Sequence, residues 1–214
     1  DEVIVPDGPE IYNFIMGDTT ASGERTVPGR IYKLERGKLY IVTETLEIDF
    51  DFYLVADDDD PSNPTRPPMI VRGVHPDGSL VDNPFALVGD NIKVKFENLI
   101  FQGVPMDGVV KNDWAVGLWG SGTDVHLEIN KCVFNSWTYT SMDLGMLNLK
   151  LYITDCIFRN MVQPVHPFGG QVSGTWNAVD TLLFTNNTYF NCSSYIVLPE
   201  RDRRCNYVRF DHNT

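Results

Sequence analysis

Lys93, His126 and Lys150 open three segments of one pattern, and Lys95, Glu128 and Tyr152 follow each of them at the same offset. These residue types could do acid–base chemistry. A lyase acting on uronic-acid polymers needs a base to remove the proton alpha to the carboxylate, and cations to hold the resulting enolate. Lys93, His126 and Lys150 supply both, with Glu128 as the carboxylate on that face. Glycoside hydrolysis would need two carboxylates flanking the bond, but the alignment sets Glu128 between Lys95 and Tyr152. Outward strand positions are polar in any case, and Lys95 beside Glu128 reads equally as a cross-strand ion pair. The balance leans away from an enzyme, with a polysaccharide lyase as the enzymatic alternative.

Three further groups carry chemistry. Asp57, Asp58, Asp59 and Asp60, followed by Pro61-Ser62-Asn63, offer the oxygens that calcium takes. They lack the glycine and distal glutamate of an EF-hand, and a solvated acidic loop between two rungs explains them as well. Calcium is the one cofactor this suggests. Trp119, Trp137, Tyr139 and Trp176 fall between strands among Gly, Ser, Thr and Asn. Exposed, they would stack on sugar rings; folded back, they would lid a core. Cys132 and Cys156 take equivalent inward positions and read as small core residues. Cys192 and Cys205 flank Tyr195-Ile196-Val197 and are the disulfide candidates. No Cys-x-x-Cys occurs, which argues against a structural zinc site.

These groups need a scaffold, and the chain writes one out repeatedly. Phe96-Glu97-Asn98-Leu99-Ile100-Phe101 is followed by Ile129-Asn130-Lys131-Cys132-Val133-Phe134 and Ile153-Thr154-Asp155-Cys156-Ile157-Phe158. It returns as Phe184-Thr185-Asn186-Asn187-Thr188-Tyr189-Phe190 and begins again at Phe210-Asp211-His212-Asn213-Thr214. A strand–corner–strand unit recurring at roughly 20–50 residues is the signature of a solenoid. In Val125-His126-Leu127-Glu128-Ile129 the apolar residues alternate, so Val125, Leu127 and Ile129 share the inward face. Asn130-Lys131 is the corner, with Asn suited to left-handed backbone. Stacking predicts one inward file of Phe101, Phe134, Phe158 and Phe190, and another of Leu99, Cys132, Cys156, Thr188 and Thr214. A single rung cannot bury its apolar side; stacked rungs bury it against each other.

The Ile-Asn-Lys-Cys-Val-Phe and Ile-Thr-Asp-Cys-Ile-Phe corners resemble those of the right-handed parallel β-helix, or pectate-lyase-like, superfamily. Gly29-Arg30-Ile31-Tyr32-Lys33-Leu34, Leu46-Glu47-Ile48 and Tyr53-Leu54-Val55-Ala56 resemble the opening rungs of extracellular bacterial members. The resemblance implies an all-β, right-handed parallel β-helix working outside the cell or at its surface. It says little about chemistry, because function lives in sites grafted onto folds.

Length and charge agree with one domain: residues 1–28 as N-terminal cap and lead-in, residues 29–214 as rungs. The chain has 214 residues, 43% of them hydrophobic, enough for one elongated core. A net charge of −12 disfavours nucleic acid, and also acidic polysaccharides unless calcium or a local basic strip intervenes. No apolar run is long enough to predict a membrane span. Asp7-Gly8-Pro9-Glu10 before Ile11, Phe14 and Ile15 predicts a short helix capping the first rung, with Asp near its start. Val208, Phe210 and Thr214 close the sequence in mid-repeat, so that end is expected to be covered by further chain or a second subunit. The leading expectation is a non-catalytic extracellular or cell-surface module contacting glycans or other proteins. The alternatives are a lyase or glycoside hydrolase, and a self-assembling structural or filament subunit.

Overall fold

Inward alternation and tight polar corners set the architecture. A computed structural model describes residues 1–103, 114–117, 122–137, 140–143, 146–161, 163–166, 179–192 and 205–214. The chain begins with β1 (Glu2–Val5) and α1 (Ile11–Met16). Full coils follow: β2 (Ile31–Leu34), β3 (Leu39–Val42), β4 (Leu46–Ile48), then β5 (Phe52–Ala56), β6 (Met69–Arg72), β7 (Phe85–Leu87). The next are β8 (Lys93–Glu97), β9 (Ile100–Gln102), β10 (Val116–Gly117), then β11 (His126–Asn130), β12 (Val133–Asn135), β13 (Thr140–Asp143). Then come β14 (Lys150–Thr154), β15 (Ile157–Met161), β16 (Gln163–His166), and last β17 (Val179–Thr185), β18 (Thr188–Cys192) and β19 (Cys205–Asp211).

Among the described residues, each of the five coils from β2 to β16 gives one strand to each of three sheets, β17 and β18 continue the first two, and β1 and β19 are the end strands of the first. The eight-stranded sheet runs β1-β2-β5-β8-β11-β14-β17-β19, the six-stranded one β18-β15-β12-β9-β6-β3, and the five-stranded one β16-β13-β10-β7-β4. The pairings between these strands are parallel, so the molecule is an all-β solenoid of stacked coils. The core is the predicted one: Leu127, Ile129, Cys132, Phe134, Leu151, Ile153, Cys156 and Phe158 are all buried. Phe101, Phe134, Phe158 and Tyr189 stack face to face, with ring centroids 4.8, 5.1 and 5.3 Å apart. That step is close to the spacing of neighbouring strands, about 4.8 Å, so each coil places its ring on the ring below.

The corners between the first two sheets are left-handed single residues. Asn98, Lys131, Asp155, Asn186 and His212 have φ of 60, 53, 55, 56 and 49°. The second corner therefore turns on Lys131 rather than on Asn130, which ends β11. Non-glycine residues incur roughly 1–2 kcal/mol there, and hydrogen bonding to the next coil offsets it. Asn98, Lys131, Asp155 and Asn186 donate their N–H to the carbonyls of Asn130, Thr154, Thr185 and Asp211, at 2.9, 3.0, 3.0 and 3.0 Å.

The fourth repeat sits one residue away from the expected alignment. Asn187, not Thr188, follows Cys156 in the inward corner seat, and Asn213, not Thr214, follows Asn187. Tyr189 takes the aromatic seat opposite Phe158, and Phe190 faces outward, 66% exposed. No residue is inserted: Phe184-Thr185-Asn186-Asn187-Thr188-Tyr189 aligns residue for residue with Ile153-Thr154-Asp155-Cys156-Ile157-Phe158. The seat goes to Asn187 because its amide satisfies two buried backbone groups at once, accepting from Cys156 N–H at 2.9 Å and donating to Ile153 O at 2.9 Å.

At the N-terminal end α1 buries Ile11 and Ile15 against the core, as the lid reading expects. Its N-cap is Glu10, with no side-chain capping bond, so Asp7 does not serve as the cap. β1 was not legible as a strand; it pairs in register with β2 and adds a strand below the first full coil. At the other end β19 leaves Val208 and Phe210 47% and 49% exposed, although Phe210 stacks on Phe184 at 4.8 Å. Among the described residues no helix is long and apolar enough to cross a membrane.

Candidate binding groove

The outer face of the eight-stranded sheet gathers most of the residues singled out from the sequence. Strand register makes rows of them. Lys93, His126, Lys150, Thr181 and Tyr207 lie opposite one another on successive strands. Lys95, Glu128, Tyr152, Leu183 and Arg209 form the row beside it, headed by Glu2, Ile31 and Tyr53. The third row contains Lys33, Val55, Glu97, Asn130 and Thr154.

Lys93, His126 and Lys150 are thus neighbours, as predicted, and Glu128 is beside them. The His126 Nε2 atom lies 2.8 Å from Glu128 Oε1, and the His126 ring stacks on Tyr152 at 4.8 Å. No carboxylate is matched across adjacent strands in this row, because Glu128 lies opposite Lys95 and Tyr152. Lys95 instead pairs with Glu97, whose other oxygen accepts from Asn130 at 3.2 Å. Lys93, His126 and Lys150 stand outside the two cavities that open on this face.

The larger cavity, about 600 Å³, spans β1, β2, β5 and β8. Ile31, Tyr53, Val55 and Ala56 give it apolar surface; Lys33, Arg36 and the Asp57–Asp59 loop form its charged side. Burial, then the nearby Asp51 and Glu128 carboxylates, push the Tyr53 phenol up. The Lys33 ammonium reaches Glu2 at 2.9 Å, Asp58 at 3.4 Å and Asp57 at 3.6 Å. Its hydrogen bond to Glu2 is the main cause that raises its pKa. Arg36 Nε donates to Asp57 O at 3.0 Å and lies 3.6 Å from Asp59. A second cavity, about 400 Å³, continues over Lys95, Glu128, Asn130, Tyr152, Thr154 and Asp155. Lys95 lines both, so the two form one groove along the solenoid axis.

The acidic loop is divided rather than convergent. Asp57 and Asp58 turn to Lys33, Asp59 to Arg36, and Asp60 accepts from Ser62 N–H at 2.9 Å and Ser62 Oγ at 2.6 Å. The Ser62 hydroxyl, then its N–H, holds the Asp60 carboxyl below the usual range. Among the described residues no three His, Cys, Asp or Glu side chains are gathered as for a metal ion, and these four aspartates turn to Lys33, Arg36 and Ser62. Trp137 is buried and donates its indole N–H to Phe101 O at 3.2 Å; it seals the core rather than offering a face to sugar. Trp119, Tyr139 and Trp176 lie outside the described residues. Cys192 and Cys205 are half-buried free thiols on β18 and β19, in different sheets, and the disulfide considered for them is not formed.

Lys33, Arg36 and Tyr53 were not legible as groove residues. Their signal was present in the alternation of Ile31-Tyr32-Lys33-Leu34, which turns Lys33 outward, but it needed the register of β2 on β5 and β8 to join them to Lys95. Comparison with known proteins adds no assignment: no protein-family model matches the chain, and no curated protein matches it.

Proposed function

We propose that the chain is a non-catalytic module of the right-handed parallel β-helix kind, acting outside the cell or at its surface, that holds a glycan along the outer face of its eight-stranded sheet. The observation that carries this is the groove, a cavity of about 600 Å³ continuing into one of about 400 Å³ across six adjacent strands. Ligand sites are concave, partly apolar and furnished with a few placed polar groups, and Tyr53, Ile31 and Val55 beside Lys33, Glu97 and Asn98 fit that description. Against glycoside hydrolysis stands the lack of a matched carboxylate pair in that row. Affinity electrophoresis through gels containing different polysaccharides tests the reading. Retarded migration that is lost in Tyr53→Ala supports it. Release of unsaturated sugars from a uronic-acid polymer, abolished by Lys150→Ala, overturns it in favour of a lyase.

A second reading, self-association, draws on the exposed Val208 and Phe210 of β19. Light scattering that shows a constant 24.2 kDa species at all concentrations removes it.

A further inference from the structure

The groove is asymmetric in how it displays its charges. Three bases, Lys33, Arg36 and Lys95, share the larger cavity with five acids, Glu2, Asp57, Asp58, Asp59 and Glu97, an excess of two negative charges. The second cavity sets Lys95 against Glu128 and Asp155, an excess of one. Lys33 and Arg36 also lie deeper than the outermost acids, while Lys95 and Glu97 are about equally exposed, at 34% and 29%. The Lys33 and Arg36 side chains are 14% and 10% exposed, whereas Glu2 is 55% and Asp58 95% exposed. A ligand entering from solvent meets the Glu2 and Asp58 carboxylates before Lys33 and Arg36, and the acids that outnumber the bases leave net negative charge there.

The direction of the groove narrows the ligand further. It crosses strands β1, β2, β5, β8, β11 and β14, a run of roughly 24 Å at about 4.8 Å per strand. Carboxylates line it from Glu2 on β1, through Glu97 on β8 and Glu128 on β11, to Asp155 after β14. An extended peptide repeats its side chains on one side at about 6.7 Å, out of step with the strands. A pyranose ring advances a chain by close to one strand spacing, so a sugar polymer lying along the axis sets about one ring over each strand of the row Glu2, Ile31, Tyr53, Lys95, Glu128 and Tyr152.

Resting on the glycan reading above, we infer that this groove selects an amine-bearing glycan, a polymer of hexosamine with free amino groups, over neutral and uronic-acid chains. Carboxylates at the rim accept from ammonium groups, while Tyr53 and Val55 meet the apolar faces of the rings. The same rim repels polyuronates.

Calorimetric titration of the 214-residue chain at mildly acidic pH tests this with four probes: a glucosamine oligosaccharide, its N-acetylated form, an oligogalacturonate and a lysine-rich peptide. The glucosamine oligomer should bind about five- to ten-fold more tightly than the acetylated one, the effect of two or three partly exposed charge pairs. That preference should shrink in high salt, and in Glu128→Gln and Asp58→Asn. Asp58 is almost wholly exposed, so its variant keeps the fold. Equal binding of the acetylated oligomer, or tighter binding of the galacturonate, overturns the charge selection but leaves a glycan-binding groove. Binding of the peptide alone, or of no probe, overturns the glycan reading as well.

Discussion

The inward corner seat is built in two materials, and the contrast shows what the seat requires. In the middle of the solenoid it holds sulfur: Cys132 N–H points to Cys156 Sγ at 3.4 Å, and Cys156 Sγ reaches Ile129 O at 3.5 Å. Toward the last coil it holds amides. Asn187 N–H donates to Asn213 Oδ1 at 3.0 Å, Asn187 Nδ2 to Ile153 O at 2.9 Å, and Asn213 Nδ2 to Phe184 O at 2.9 Å. Ile129, Ile153 and Phe184 are equivalent positions on adjacent strands, so sulfur and amide answer the same backbone groups. The seat asks for a small side chain that accepts from the coil before it and donates to a carbonyl beneath. A thiol does both weakly and suffices where Cys132 and Cys156 are fully buried. The stronger amide sits nearer the half-exposed β19, and there Asn187 is as fully buried as the two cysteines.

The largest break in this arrangement should come from the ring stack that both kinds of corner support. Phe134→Ala removes a ring held between Phe101 and Phe158, and should reduce stability by about 3–5 kcal/mol in urea unfolding. A loss under 1 kcal/mol would mean the stack is not part of the core. Next is Asn187→Ala, which strands the Cys156 N–H and the Ile153 carbonyl, and should cost about 2–4 kcal/mol. The reverse exchange sharpens the contrast. Cys156→Asn places an amide where sulfur now serves, and should raise stability by roughly 0.5–1 kcal/mol; a clear loss would show that the middle seat is too tight for an amide.

Titration separates the coils more gently. Burial, then the Asp18 carboxylate accepting its hydroxyl, pushes the Tyr32 phenol up to about 12, and burial raises Tyr40 to about 12. Both phenols are protonated in the folded and unfolded chain below about pH 10. Above that the unfolded chain ionises first, so stability should fall as pH rises from about 10 to 12. Tyr32→Phe should flatten part of the decline in urea melts at successive pH values. The smallest effect is kinetic. Cys192 and Cys205, half-buried, should alkylate before Cys132 and Cys156, and slowly, because burial raises both thiols. Modification of Cys156 first would contradict its place in the core.

Much of this was readable in the chain because period and chemistry agreed. His126-Leu127-Glu128-Ile129 alternates cleanly, and Cys132 and Phe134 recur at Cys156 and Phe158, so the coils and the outward rows followed directly. The alignment slipped at Asn186-Asn187-Thr188, where two adjacent asparagines suited either the left-handed corner or the seat, and only inter-coil hydrogen bonds tell them apart. Trp137 was ambiguous for a related reason: an aromatic among Ser and Thr looks exposed until the neighbouring coil covers it. The groove was the least legible feature. Its residues come from strands far apart in sequence, Glu2 to Asp155, and their meeting depends on register rather than on any local motif.

The two-residue corner also sets how such a molecule can change size. From β8 onward the first sheet passes to the second through Asn98-Leu99, Lys131-Cys132, Asp155-Cys156 and Asn186-Asn187, always two residues. The corner-to-corner distance is freer, with 24 residues separating Cys132 from Cys156 and 31 separating Cys156 from Asn187. From β8 onward the variable length falls, in sequence, between one strand of the second sheet and the next strand of the first. A duplication or loss of one whole coil, cut at successive left-handed corners, would leave every remaining ring and seat with a matching neighbour. The molecule is in this sense modular, and its outer face could be extended or shortened by one strand without redesigning the rest.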